Sequence, residues 1–434
     1  MITVLLVTSW NGHHPSYCAE MIRACADFSS RIYILCPQEA NPLERVGGPP
    51  ALLDKISVVV HSNSAARTGF RKYADIVADL REMRSHVLTI KQSHPDERTF
   101  IFHSSLDSWC IGILHLPLLA LTIPKLLPWT FSGLLISPDR EWPLSSARRF
   151  LTGHTGNPQD RSRFKKALDS LSNGLLAGSA YMLRRYYLWQ RNLVFKRSRC
   201  ENIAIQDERY ADTLGSHTGK KVVLYPETTT TQVSNPPPDL VRLIEAKRKG
   251  RVVVGLLGGV NRVKCADLLL DVIQNFDTSA FLFVLAGNCR CDGFSPDHRA
   301  FLETGIHSYE NVVFSPKPIP SENDFNAIIA ACDIIYTVYR DHFHSSNVIS
   351  KAVAFRKPVL VTAGELMAKR VKDYGIGHIL PEHDAKACFM ALQEMSAREF
   401  QENFLQTAKF ATYIQDNSFK SLQTLMTTLI SSHC

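Results

Sequence analysis

Two series of strand-length apolar runs alternate with stretches of helical period, and one Thr- and Pro-rich stretch divides them. This alternation constrains the fold more than any other feature. It requires crossover units and therefore parallel sheets. In the first series the expected strands are Ile2–Ser9, Arg31–Cys36, Ile56–His61, Thr99–His103 and Ile203–Gln206, with helices at Pro15–Phe28, Phe70–Gln92, Arg161–Leu171 and Ser179–Leu193. In the second they are Arg251–Leu257, Ala280–Ala286, Val312–Ser315, Ile334–Val338, Pro358–Thr362 and Gly377–Leu380, followed by helices Ala397–Tyr413 and Phe419–Ser431. The runs are continuous, as in strands covered on both faces. Between the series lies Glu227-Thr-Thr-Thr-Thr-Gln-Val-Ser-Asn-Pro-Pro-Pro238, which reads as a linker. The expected architecture is α/β, with two doubly wound Rossmann-like domains facing a cleft. Residues 1–226 form the first domain, 227–238 the linker and 239–412 the second domain. Residues 413–434 form a terminal helix able to cross back to the first.

Composition narrows the setting. Eleven irregularly spaced Cys do not make a disulfide framework and fit free thiols in a reducing cytoplasm. The apolar opening Ile2–Trp10 has no basic residue before it and no small-residue cleavage site after it, so it reads as a buried strand. The longest apolar run, Cys110–Ile136, is broken by Pro117, Pro124, Lys125 and Pro128, against the uninterrupted ~20 residues a spanning helix needs. Charge is regional. Asp139–Arg199 holds 13 Lys+Arg against 4 Asp+Glu, a surplus that accounts for the net +8 of the whole chain.

In the second series, Arg251–Leu257 leads into Gly258-Gly259-Val260-Asn261-Arg262-Val263-Lys264-Cys265 and then an apolar helix. Glycines before basic residues at a helix start suit a phosphate, because backbone N–H groups and the helix dipole favour an anion. Lys264 and Arg262 add charge. Further on, the strand Ile334-Ile-Tyr-Thr-Val-Tyr339 leads into Arg340-Asp-His-Phe-His-Ser-Ser-Asn347 and a helix. The hydroxyls and amide of Ser345, Ser346 and Asn347 suit a pyrophosphate, with Lys351 one turn in; helix capping by Ser345 or Ser346 is the alternative. His342 and His344, and Cys289 and Cys291, are pairs without a second pair at zinc spacing, so no metal site is expected.

In order and spacing, residues 251–395 resemble the donor-binding half of GT-B glycosyltransferases, nearest to the retaining family 4 group. Over the first half the resemblance rests on Asn11-Gly-His-His-Pro15, Phe131-Ser-Gly-Leu-Leu-Ile-Ser-Pro138 and Gln206-Asp-Glu208 before Leu224-Tyr-Pro-Glu227. It implies that Lys264 meets a donor diphosphate, while Gly259 stands where the family has Arg and Cys265 where it has a second Gly. The family's E-x7-E carboxylates fall on Phe343 and Lys351 and are absent. No Asp-x-Asp, the metal-holding signature of GT-A enzymes, is present.

Candidate acceptor-side residues follow the N-terminal strands. Asn11 and Gly12 shape the first turn, and His13 and His14 can orient or deprotonate a hydroxyl. His103 ends a strand with Asp107 four residues later, a spacing that suits a catalytic pair or structural hydrogen bonds. Asp139 and Glu141 read as a solvated loop, with carboxylates at the cleft as the alternative. The basic, aromatic segment 161–199 suits an anionic membrane surface or a solvated helix, and no nucleic-acid module accompanies it.

The expectation is therefore a metal-independent hexosyltransferase without a cofactor, working in polysaccharide biosynthesis. It would be cytoplasmic, with peripheral contact at the inner face of the membrane. Its donor would be a UDP or GDP sugar and its acceptor a glycan, a lipid-linked or a small molecule. A nucleotide-sugar epimerase or hydrolase on the same fold, and a non-catalytic binding scaffold, remain open.

Overall fold

A computed structural model of the chain describes residues 1–7, 14–37, 42–61, 70–104, 106, 122–123, 125–135, 185–291, 293–340, 342–381 and 383–432. It divides into two compact units, Met1–Tyr225 with Leu422–Cys434, and Pro226–Ser421.

The first unit carries β1 (Ile2–Leu6), β2 (Arg31–Pro37), β3 (Ile56–His61), β4 (Thr99–His103), β5 (Phe131–Leu135), β6 (Cys200–Ile205) and β7 (Lys221–Leu224). They form one sheet in the order β3-β2-β1-β4-β5-β6-β7, with every neighbouring pair parallel. The second unit carries β8 (Val252–Val260), β9 (Phe281–Cys289), β10 (Val312–Ser315), β11 (Ile334–Thr337), β12 (Val359–Thr362) and β13 (Gly377–Leu380). Their order is β10-β9-β8-β11-β12-β13, again all parallel. Side chains alternate across this sheet. Val253 and Leu257 of β8 enter one core and Val254, Leu256 and Val260 the other. Both faces are thus covered, which is why the runs are apolar throughout. Strand order reverses between β1 and β4 in one sheet and between β8 and β11 in the other. These switch points are where doubly wound sheets open a crevice.

All six expected strands of the second series form. In the first series two strands escape the sequence reading. β5 is five residues interrupted by Ser132 and Gly133, and β7 is a four-residue edge strand with half-exposed side chains. The helix expected over Ala397–Tyr413 is two helices, Arg398–Thr407 and Phe410–Asp416. The break is anchored where Lys409 donates its backbone N–H to Tyr374 O and its ammonium to Asp373 O. The expected helix Arg161–Leu171 lies outside the described residues, while of the next, Ser179–Leu193, the described part is helical and the helix runs on to residue 197.

Residues 227–238 form no helix or strand, yet they are tied to the second unit. Asn326, fully buried, donates to the carbonyls of Thr230 (3.0 Å) and Gln232 (2.8 Å), and the Ser234 hydroxyl donates to Asp324.

Candidate functional site

The second sheet's switch point gathers the exits of β8 and β11. At the β8 exit, Gly258 takes φ +88° and faces Gly287 of β9 at φ +127°. A Cβ on Gly287 would lie 2.5 Å from the Gly258 carbonyl carbon, so only glycine allows this approach. The chain then turns through Gly259 to Lys264, whose N–H donates to Asn261 Oδ1 (3.0 Å). The Lys264 ammonium folds back to donate to Leu257 O at 2.6 Å and lies 5.6 Å from the centre of the Tyr339 ring. Arg262 points outward, exposed, with a 3.4 Å contact to Gly293 O. Arg340, just beyond β11, pairs with Asp267 at 3.0 Å and donates its backbone N–H to Val263 O, joining the two loops.

At the β11 exit, the Thr362 hydroxyl fixes Tyr339 by accepting its N–H (3.0 Å) and donating to its carbonyl (2.7 Å). The Tyr339 ring stacks on His342 with centroids 4.6 Å apart, and its OH shares a 2.9 Å hydrogen bond with Ser346. His342 Nε2–H donates to Ser345 O at 3.3 Å. Burial holds this imidazole below its ordinary pKa, the Ser345 carbonyl opposes that, and His344 and Lys264 add to it. A neutral imidazole at neutral pH follows.

Ser346 is the N-cap of the helix Asn347–Ala354, and its side chain makes no capping bond. The Ser346 hydroxyl goes to Tyr339 instead, so the capping alternative is not what forms. Asn347 Oδ1 is buried with no hydrogen-bond partner among the described residues. Internal bonds engage the polar groups of Ser345 and Lys351. The Ser345 hydroxyl donates to Glu227 (2.7 Å) and accepts from Arg370 (2.8 Å). Lys351, 5% exposed, bonds Glu322, Asn326 Oδ1 (3.1 Å) and Thr229 Oγ1 (3.2 Å). The switch point thus brings together the Gly258–Gly259 turn, Lys264 and, through Tyr339, the helix start at Ser346–Asn347, while Arg262 points outward from it. Sequence reasoning missed Tyr339, Arg340, Glu227 and Arg370. Tyr339 and Arg340 directly follow a strand and were within reach of the same rule; Glu227 closes a segment that carries the resemblance without having been given a role, and Arg370 carries no local signal.

On the N-terminal side, Asn11, Gly12, His13 and Asp107 lie outside the described residues. So does the side chain of His14, the first residue of the helix His14–Cys25. His103 is fully buried at the end of β4, and burial, then His61, lowers its pKa to about 3. An imidazole that weakly basic is a poor general base at neutral pH, which favours the structural alternative for His103. His61, not singled out by sequence, reaches Val7 O at 3.1 Å. In the basic segment, Arg185, Tyr186, Trp189, Lys196 and Arg197 are exposed on the helical residues 185–197, while Tyr187, Val194 and Phe195 enter the core. Arg191 is buried. A groove of about 340 Å³ runs between this helix and Ala211–Thr218, lined by Trp189, Tyr210 and His217 among others. Cys289 and Cys291 have sulfurs 3.5 Å apart, and among the described residues no three His, Cys, Asp or Glu side chains cluster as metal ligands would. No described helix is long and apolar enough to cross a membrane.

No protein-family model and no curated protein sequence matches the chain. Solved structures match its fold. Sucrose-phosphate synthase from Thermosynechococcus elongatus gives a TM-score of 0.61 at 12% identity, covering 100% of this chain and 98% of its own. HepE from Anabaena, solved in complex with UDP and glucose, gives 0.62 at 12% identity over 100% of both chains. WaaG, a glycosyltransferase involved in lipopolysaccharide biosynthesis, gives 0.57 at 12% identity over 98% of both. Together with the two parallel sheets, these matches define the architecture: the chain has the GT-B fold of such glycosyltransferases.

Proposed function

We propose that the chain is a glycosyltransferase, akin to the retaining family 4 group, moving a hexosyl unit from a UDP or GDP sugar to a glycan, lipid-linked or small-molecule acceptor without a metal ion. The observation that carries this reading is the meeting, at one switch point, of the Gly258–Gly259 turn, the Lys264 ammonium and, through Tyr339, the helix start at Ser346–Asn347. Lys264 and Arg262 neutralise the diphosphate, and the helix dipole adds partial positive charge. As the bond from the sugar's anomeric carbon to the diphosphate oxygen breaks, these groups stabilise the departing anion. The acceptor hydroxyl attacks the anomeric carbon and gives up its proton, with His13 or His14 as the base. The 161–199 segment holds the enzyme at the cytoplasmic membrane face, where a lipid-linked acceptor of polysaccharide biosynthesis is found.

Calorimetric titration with UDP, GDP, ADP and dTDP, each with and without EDTA, tests the donor side. Binding of UDP or GDP that survives EDTA is expected; strict Mg²⁺ or Mn²⁺ dependence would overturn metal independence. A non-catalytic nucleotide-binding scaffold is the second reading, favoured by Phe343 and by a Lys351 locked to Glu322 where the family has carboxylates. Nucleotide binding with no transfer to any acceptor and no hydrolysis supports it.

A further inference from the structure

The N-terminal stretch of the first unit ends at Tyr225, and Glu227 is the second residue of the other unit. Its backbone N–H donates to Asn417 Oδ1 (2.9 Å), and its carboxylate turns into the unit's interior. There it accepts from the Ser345 hydroxyl (2.7 Å) and the Ser350 hydroxyl (3.3 Å), and it pairs with Arg370 at 3.3 Å. The two charged side chains are 3% and 8% exposed. Ser350 continues to the Tyr413 hydroxyl at 3.1 Å. One carboxylate therefore ties the β11 exit loop, the helices Asn347–Ala354 and Leu366–Tyr374, and, through Ser350, the helix Phe410–Asp416.

A buried ion pair is weak evidence for stability, because removing two charges from water costs about what their attraction returns. The contacts suggest another use. Ser345 is clamped on both sides, its O–H by Glu227 and its oxygen lone pair by Arg370. The residues after it, Ser346 and Asn347, begin the helix, and the residue three before it, His342, bonds its carbonyl. A displacement of about 1 Å in such a loop is enough to misplace groups that must meet a ligand.

We propose that Glu227, with Arg370, is a positioning residue that holds the Ser345–Asn347 helix start in register for the distal phosphate of a nucleoside diphosphate. This rests on the functional reading above. The distal phosphate, next to the transferred sugar, is present in UDP and GDP and absent from UMP and GMP. The inference is therefore one of discrimination between diphosphate and monophosphate.

The test compares UDP with UMP, and GDP with GMP, on the full chain by calorimetry, with Tm measured alongside. Glu227→Gln should reduce the preference for diphosphate over monophosphate at least tenfold, leave monophosphate affinity unchanged, and lower Tm. Glu227→Gln with Arg370→Met removes both charges and should regain most of the lost Tm while the preference stays reduced. Ser345→Ala should reproduce the lost preference with a smaller change in Tm. Diphosphate preference that returns along with Tm in the double variant, or that is intact in all variants, overturns the positioning role and leaves the functional reading standing. A wild-type chain that binds neither UDP nor GDP overturns the functional reading, and this inference with it.

Discussion

Lys264 and His103 were both expected at a site from the sequence, and the structure separates them by environment. The Lys264 ammonium is half-buried at the switch point on a backbone carbonyl, a contact that a diphosphate can share or replace. Lys264→Ala should cost about 1.5–3 kcal/mol of UDP or GDP affinity, the usual worth of a charge-assisted contact, with little change in Tm. Unchanged affinity in a folded variant would remove Lys264 from the site. His103 instead makes a prediction about acid. Its folded pKa is about 3, against about 6.5 for an unfolded His, so between these values only the unfolded chain takes up the proton. Its contribution to stability is complete above pH 6.5 and is lost as pH falls toward 3. The slope is up to about 1.4 kcal/mol per pH unit. Urea unfolding at pH 7, 6 and 5 should show a shallower loss in His103→Gln than in wild type; equal slopes would refute it. Residue type and strand-end position were legible here. Burial depth was not, because the neighbours that enclose His103 come from other strands.

At the scale of elements, period and length sufficed where a strand is long and covered on both faces, as for β8 and β9. They failed where tertiary contacts decide. The strands β5 and β7 exist because a neighbouring ladder recruits them, and the break at Ala408–Lys409 exists because Tyr374 O accepts a bond there. The Thr- and Pro-rich stretch looked free in sequence because its partners, Asn326, Lys351 and Asp324, lie about 90 to 120 residues away. The helix over residues 185–197 supplies a prediction of its own. Its outward face carries Arg185, Tyr186, Trp189, Lys196 and Arg197, and Trp189 is 59% exposed. Aromatics beside cations suit the interface of an anionic bilayer. Flotation with vesicles rich in phosphatidylserine should retain the chain at low salt and release it as the Debye length shrinks to about 8 Å near 0.15 M. Replacing Arg185, Lys196 and Arg197 with Gln should abolish retention, whereas Arg191, being buried, is left in place. Equal flotation on neutral vesicles would argue against an electrostatic surface.

For the whole molecule, the two-sheet plan was readable because each β-helix-β unit repeats the same signal, and thirteen strands among the described residues give that signal many chances to appear. The helix Phe419–Ser432 buries Leu422, Met426 and Leu429, and Ser432 accepts a 3.1 Å hydrogen bond from Asn202 of β6. Removing residues 422–434 should therefore destabilise the N-terminal unit. Limited proteolysis of the truncated chain should cut within residues 1–225 first, and cleavage confined to 226–421 would contradict this.

This closing helix has a consequence for synthesis. Residues 1–225 leave the ribosome early, but their last structural piece is encoded after the whole of residues 226–421. At about 5–20 residues per second, the N-terminal unit waits roughly 10–40 s with the surface meant for Leu422, Met426 and Leu429 uncovered. A nascent chain held open for that long is a natural client for holding chaperones, and slowing translation between the two segments should lower the yield of folded protein.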